Sequence, residues 1–417
     1  MPFIAFSNGY WGLKYEMQQV TNGKIYVIVQ VNKNYTFDSA RYTVFIPDGV
    51  NQLQAVFIHQ HGCEMEGRGA SSAYDLQYQA FSKKWEMAIV GTDLYSSKGN
   101  CHDWRDPGSG SGQALIKTLQ EVGKISGHPE QADLPWLLWG HSGGGYWALS
   151  MLRQYPERIL AVVGYSPAFE PGTYPDAALK VPVILRHAGP EGDAPYWQTS
   201  VKEFGKLRSA GGYASIAYTP YQNHNFSYIR YMAIPFYEAV MQQRLPLKPG
   251  SGYINMRMMD SSKVWLGDTL NYNIYQQNYY PGDKMNAAWF PDSITAARWR
   301  EYVITGTVID RSPPPVPYDV QTKRRHSATV ALTWKAVADI ESGIDHFNIY
   351  KDDQIISRFP SSGSYQQFDT NGDDAYPLLP LPLQTDITLL QNDPGKISVT
   401  AVNHFGLESP KAISYER

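Results

Sequence analysis

The chain has 417 residues, 43% of them hydrophobic and 18% charged, with a formal net charge of −3. That length exceeds what one ordinary core can use and predicts at least two domains, while the near-neutral balance argues against nucleic acid or an anionic membrane as a partner. No run of 18 apolar residues occurs, so no membrane insertion is expected, and Met1 to Ser7 has neither the basic nor the long apolar stretch of a secretory signal.

Residues 25–31 and 41–46 are β-branched and aromatic and read as strands of an antiparallel opening, the second ended by Pro47-Asp48-Gly49. Short, nearly continuous apolar runs follow at 55–58, 87–91, 136–139, 160–164, 182–185 and 214–218, separated by helix-like stretches. Runs that are apolar on both faces belong to strands covered on both sides, and helical crossovers make such strands parallel. Residues 1–247 are therefore predicted to form an α/β domain around a mostly parallel sheet. Its last helix is predicted from about Phe226 to Gln243, closed by Leu245-Pro246 and Pro249-Gly250-Ser251-Gly252. Residues 248–311 are rich in Tyr, Trp, Asn and Asp, with turn signals at Gly267-Asp268, Pro281-Gly282 and Pro291-Asp292, and read as a mostly β connecting segment. Pro313-Pro314-Pro315 is a stiff hinge. Beyond it, alternating strands at 328–334, 345–351, 354–358, 385–390 and 396–402 predict a small all-β sandwich over 312–417. The strings Val330-Ala331-Leu332-Thr333-Trp334, His346-Phe347-Asn348-Ile349-Tyr350 and Val399-Thr400-Ala401-Val402-Asn403 resemble a fibronectin type III domain, which implies an immunoglobulin-like sandwich.

The chemistry concentrates in Gly140-His141-Ser142-Gly143-Gly144, which follows the buried strand Trp136 to Trp139 and precedes the helical stretch Tyr146 to Gln154. A strand running through G-x-S-x-G into a helix is the context of a nucleophile elbow. Glycines flank the serine because side chains at 140 or 144 would strike the neighbouring strand or helix. The start of the helix beneath Ser142 would help to stabilise an oxyanion. A hydroxyl is a weak nucleophile unless a base takes its proton, and the base in turn needs a carboxylate to orient it. In this class the order along the chain is Ser, acid, His. His224 lies in the loop Pro220 to Asn225, between the strand 213–219 and the final helix, where the base is expected. The acid is expected in the loop 187–195. Asp193 is preferred because it ends the turn before Ala194-Pro195-Tyr196-Trp197, and Glu191 is the alternative. The oxyanion donors are expected to be the amides of Cys63, after the strand Val56 to Gln60, and of Gly143, with Gly62 letting the backbone turn. His59 and His61 invite a metal reading, but no third ligand has compatible spacing, so neither metal nor cofactor is expected. Cys63 and Cys101 by themselves are compatible with one disulfide or two free thiols.

The string His61-Gly62-Cys63, the later Cys101-x-x-Trp104, the elbow and Tyr155-Pro156-Glu157-Arg158 after its helix together resemble α/β-hydrolases of the secreted polyhydroxybutyrate depolymerase and feruloyl esterase group. The resemblance covers roughly residues 40–245 and implies several things. Cys63 and Cys101 would pair in an oxidising compartment, so that the protein is secreted or periplasmic. Trp104 would form a wall of the acyl or sugar pocket, with His141 beside the serine as a second substrate contact. The stretch between 164 and 182 is too short for a large lid, which suits a bulky or polymeric ester such as a decorated polysaccharide or a polyester. The expected function is therefore a serine carboxylic-ester hydrolase working through an acyl-enzyme. The alternatives are a serine peptidase with the same triad and a non-catalytic glycan-binding or adhesion protein with a hydrolase shell.

Overall fold

Ten strands form one sheet. Of these, β1 (Ile4–Ser7), β2 (Lys14–Val20), β3 (Gly23–Gln30) and β4 (Ser39–Pro47) are paired antiparallel. The strands β5 (Ala55–Gln60), β6 (Met87–Tyr95), β7 (Trp136–His141), β8 (Ile159–Tyr165), β9 (Val183–His187) and β10 (Ala214–Tyr218) are parallel to one another. The structure is a computed structural model that describes residues 4–7, 14–64, 67–99, 101–325, 329–361, 380–388 and 395–416. Met1 to Phe3, Asn100, position 328 and the end of the expected strand 385–390 lie outside the described residues.

The order across the sheet is β1-β2-β3-β4-β6-β5-β7-β8-β9-β10. The chain leaves β5 toward β6 on one side and returns to place β7 on the other, so the direction of winding reverses at β5 and β7. Crevices in such sheets open at the carboxyl ends of the strands flanking that reversal. Every residue of β5 and β7 is buried, as a parallel strand covered on both faces requires. The alternation of side chains then feeds two cores. Phe57, Leu137, Trp139 and Val163 point into one, and Val56, Ile58, Leu138 and Val162 into the other.

Two sequence expectations need correction. The helix expected from Phe226 runs over Ile229–Arg244. Residues before it form a turn, because the Asn223 side chain accepts hydrogen bonds from the backbone N–H of Asn225 (3.0 Å) and Phe226 (2.7 Å). The segment 248–311, expected as a mostly β connector, holds three-residue strands at Trp265–Gly267, Ile274–Gln276 and Ala288–Phe290 and a 13-residue helix, Ser293–Thr305. Pro291-Asp292, taken as a turn, starts that helix: Asp292 Oδ1 accepts from the Thr295 N–H at 2.7 Å. Nor does the segment merely bridge. Leu266, Trp289, Phe290, Trp299 and Tyr302 enter the same core as β8 and the helix Ile229–Arg244, and Trp299 Nε1 donates to the carbonyl of Ile216 in β10 at 2.8 Å.

Beyond the prolines, two four-stranded sheets face each other. One contains Tyr318–Arg324, Thr329–Lys335, Gln384–Thr388 and Tyr415–Glu416, the other His346–Lys351, Gln354–Phe359, Ile397–Val402 and Ala412–Ile413. Leu332, Trp334, Phe347, Ile349 and Val399 fill the space between them, and Leu76 and Ala80 of the helix Leu76–Lys84 join the same cluster. Buried amides tie the two parts together: Asn22 Nδ2 donates to the Ala336 carbonyl (3.1 Å) and Gln77 Nε2 to that of Ile340 (2.9 Å). No helix of the described residues is long and apolar enough to cross a membrane.

Where the hinge meets the sandwich, two buried carboxyls face one amide. Asn403 Nδ2 donates to Asp310 Oδ2 at 2.9 Å and to Asp339 Oδ2 at 3.1 Å, and the two acids are hydrogen-bonded to each other. Burial pushes Asp339 up to about 8, while the hydrogen bond with Asp339, followed by those from Ser312 and Ser342, holds Asp310 below the usual range. A carboxyl whose folded pKa is raised stabilises the fold fully below its unfolded pKa and loses that contribution as pH rises through about 8. The melting temperature of Asp339→Asn, which mimics the protonated acid, is therefore expected to gain on that of the unsubstituted protein between pH 5 and pH 9. Thermal unfolding at both pH values checks this.

Candidate active site

Ser142 lies between β7 and the helix Gly143–Gln154 with φ 54° and ψ −117°. A non-glycine residue in this region carries strain of roughly 1–3 kcal/mol and persists only where its surroundings over-determine it. Here the Ser142 N–H donates to the Tyr165 carbonyl at the end of β8 (2.9 Å). The Ser142 carbonyl accepts from the N–H groups of Tyr146 (3.2 Å) and Ala168 (3.1 Å). The next two residues must lack side chains. A Cβ on Gly143 would stand 2.2 Å from Cys63 Sγ and 3.1 Å from Cys101 Sγ, and one on Gly144 would stand 2.2 Å from the His61 carbonyl oxygen. Cys63 and Cys101, 38 residues apart, are joined as a disulfide, and its sulfurs occupy the place a side chain at 143 would take.

The loops after β9 and β10 bring the other two groups to this edge of the sheet. His224 Nδ1–H donates to Asp193 Oδ1 at 2.5 Å. The Asp193 side chain is fully buried, and that of His224 is 22% exposed. Asp193 Oδ2 also accepts from the Ala188 N–H at 3.4 Å. Glu191, the alternative acid, is exposed on the short helix Gly189–Gly192, where water solvates it; the contact with the histidine belongs to Asp193.

Two expectations about neighbouring side chains change. Trp104 has no exposed surface and packs in the core beside the His61 ring, with centroids 5.1 Å apart, so it is no wall of a pocket. The single turn Cys101–Asp103 directs it inward. His141 is also buried, and its Nε2–H donates to the His224 carbonyl at 2.9 Å. Burial, followed by the charges of His224 and its other cationic neighbours, holds its pKa well below the ordinary histidine range. It is thus a neutral prop for the His224 loop and not a substrate contact. Both nitrogens of His61 are occupied, since Nε2 accepts from the Leu94 N–H (3.1 Å) and Nδ1 donates to the Gly62 carbonyl (2.5 Å). His59 stacks on Trp139 at 4.0 Å. No cluster of metal-ligating side chains exists among the described residues.

Arg186, in β9, laces the histidine loop together. Its side chain is fully buried. Nε donates to Thr219 Oγ1 (2.8 Å), Nη1 to Ser166 Oγ (3.2 Å) and the Asn223 carbonyl (2.8 Å), and Nη2 to Gln222 Oε1 (3.1 Å) and the Phe226 carbonyl (3.4 Å). All five N–H donors of the guanidinium are used. Gln222 extends the network into the segment 253–308: it accepts from Tyr302 OH (3.2 Å), and its Nε2 donates to the Gly306 carbonyl (2.5 Å). Replacing Arg186 by Met is expected to cost about 2–4 kcal/mol, because several buried acceptors lose their donor together. It should also raise amide hydrogen exchange selectively over 220–226, read by denaturant unfolding and mass spectrometry.

No family model and no curated protein matches the chain. Among solved structures it is similar to poly(aspartic acid) hydrolase-1 from Sphingomonas sp. KT-1, at 13% identity and a TM-score of 0.36 over 49% of this chain and 94% of that one. It is also similar to a dienelactone hydrolase from Anabaena variabilis, at 16% identity and a TM-score of 0.34 over 49% and 88%. An S-formylglutathione hydrolase from Agrobacterium tumefaciens aligns at 13% identity with a TM-score of 0.37 over 54% and 96%.

Proposed function

We propose that the chain is a serine carboxylic-ester hydrolase of the α/β-hydrolase type. The observation that carries this reading is the 2.5 Å hydrogen bond from His224 to the buried Asp193, at the same strand ends as a serine held at φ 54°. A buried carboxylate orienting an imidazole that is itself partly exposed is the arrangement a general base needs, and a strained serine at a helix start is the arrangement a nucleophile needs. In this reading Ser142 Oγ loses its proton to His224 Nε2 and attacks the ester carbonyl carbon. The resulting oxyanion is held by the amides of Cys63 and Gly143. His224 then protonates the departing alkoxide, leaving an acyl-enzyme. Water, deprotonated by His224, attacks the acyl group, and the acid leaves as Ser142 recovers its proton.

We infer further that residues 312–417 form a fibronectin type III-like domain, a reading supported by two facing four-stranded sheets. Secretion is supported by the disulfide, and a bulky or polymeric ester by the short span between β8 and β9. Residues 253–308, through Trp299 and Gln222, are read as part of the catalytic unit.

A fluorophosphonate probe is expected to label the protein at Ser142 and to leave Ser142→Ala unlabelled; a folded, unlabelled parent protein would remove the enzyme reading. Short 4-nitrophenyl esters are expected to be hydrolysed and peptide anilides to remain intact, whereas the opposite pattern would favour the peptidase alternative. The disulfide supplies a second test. Gly143→Ala is expected to lower kcat by about 10²-fold or more, since its methyl collides with Cys63 Sγ and displaces an oxyanion donor. In a Cys63→Ala, Cys101→Ala background the same substitution should cost markedly less, because the colliding sulfurs are gone. Equal losses in the two backgrounds would refute this account.

A further inference from the structure

Arg105 is a cation beside the site that the proposed mechanism does not use. Its guanidinium carbon lies 3.7 Å above the ring of Phe169 and 5.0 Å from that of Tyr146. Among the described residues its guanidinium has no hydrogen-bonding or ion-pairing partner, and its Nη1 is shielded from solvent. The adjacent acid is turned away: Asp106 Oδ1 accepts from the Gly108 N–H (2.8 Å) and from Gln154 Nε2 (3.1 Å). Partial burial pulls the pKa of Arg105 down, and the charges of Tyr146 and Asp106 offset this only in part.

Three chain segments deliver this group to the nucleophile. The Arg105 N–H donates to the carbonyl of Cys101 (2.8 Å), whose sulfur flanks Gly143. Tyr146 and Ala168 both donate their N–H to the Ser142 carbonyl, and Phe169 follows directly. Phe169 is 6.5 Å from the Tyr196 ring, which is 5.1 Å from the His224 ring. Rings therefore run from the base to the guanidinium, all of them half-buried and none sealed in the core. Stacking covers the faces of a guanidinium and leaves its N–H donors in the plane, where a carboxylate is bound edge-on. The rings meanwhile offer apolar surface to a flat group beside it.

We propose that Arg105, with the rings of Phe169, Tyr146 and Tyr196, forms a subsite beside Ser142 for an aryl carboxylate, so that the favoured substrates are esters carrying a free carboxylate on an aromatic group. This rests on the serine esterase reading and adds the substrate class to it.

The test is inhibition of 4-nitrophenyl butyrate hydrolysis by benzoate and by its neutral isostere benzamide. For the unsubstituted enzyme, Ki for benzoate is expected to be at least tenfold lower than for benzamide, with the difference shrinking at high salt. In Arg105→Ala the two values should converge. Arg105→Lys, which keeps the charge but not the fork, should fall between. Thermal unfolding and fluorophosphonate labelling show that each variant is folded. Equal inhibition by the two compounds in the unsubstituted enzyme, or an undiminished preference in Arg105→Ala, overturns the proposal while butyrate hydrolysis and Ser142 labelling leave the esterase reading standing. Absence of butyrate hydrolysis and of labelling removes that reading, and this subsite with it.

Discussion

The site depends on one close approach. The first turn of the helix after Ser142 lies directly against the loop that leaves β5, so that side-chain atoms are excluded at Gly143 by the cystine sulfurs and at Gly144 by the His61 carbonyl. Backbone in contact with backbone leaves no slack for the serine to relax out of its strained conformation. It also sets the residue-63 loop beside the start of the helix, where the amides of Cys63 and Gly143 are proposed to receive the developing charge. The disulfide thus acts as a spacer as well as a staple. A larger residue after the serine would require it to be absent.

Around that contact the molecule uses buried polar groups to aim one loop. His224 stands in a turn fixed by Asn223, its carbonyl is held by His141, its ring by Asp193, and the loop as a whole by the five donors of Arg186. A fully buried guanidinium satisfied by neutral oxygens is stable only while every acceptor stays in place, which makes the loop rigid as a consequence of the desolvation of the charge. Gln222 carries the same restraint outward to Tyr302 and Gly306. The segment that looked like a connector is in this way mechanically joined to the histidine, and its Trp299 is anchored on β10, the strand from which the histidine loop departs.

The rim is built on different physics. Arg105, Phe169, Tyr146 and Tyr196 are held by stacking, leaving polar edges and partly open faces. A rigid interior behind an incompletely satisfied surface is the division that the proposed esterase and its proposed subsite would need between groups that carry out chemistry and groups that select what reaches them.

The strands of the parallel sheet, the turn at Ser142 and five of the eight described sandwich strands were legible in the sequence, because each is written locally: apolar runs of strand length, glycines at a forced turn, alternation between turn signals; Tyr318–Arg324, Ala412–Ile413 and Tyr415–Glu416 were not. Loop order follows strand order, so His224 was placed after β10 and both Asp193 and Glu191 after β9. Choosing between Asp193 and Glu191 needed the fold, since only burial against His224 distinguishes two carboxylates two residues apart. The direction of Trp104 and His141 was equally out of reach: a residue next to a site in sequence turns toward the core or toward solvent according to its neighbours in space. The helix at Ser293–Thr305 was hidden because an Asp after a proline signals a turn and a helix cap alike, and only packing on β10 decided which it became. Arg186 and Arg105 carried almost no local signal. Their significance lies in which oxygens and rings surround them, and those come from segments far apart in the chain.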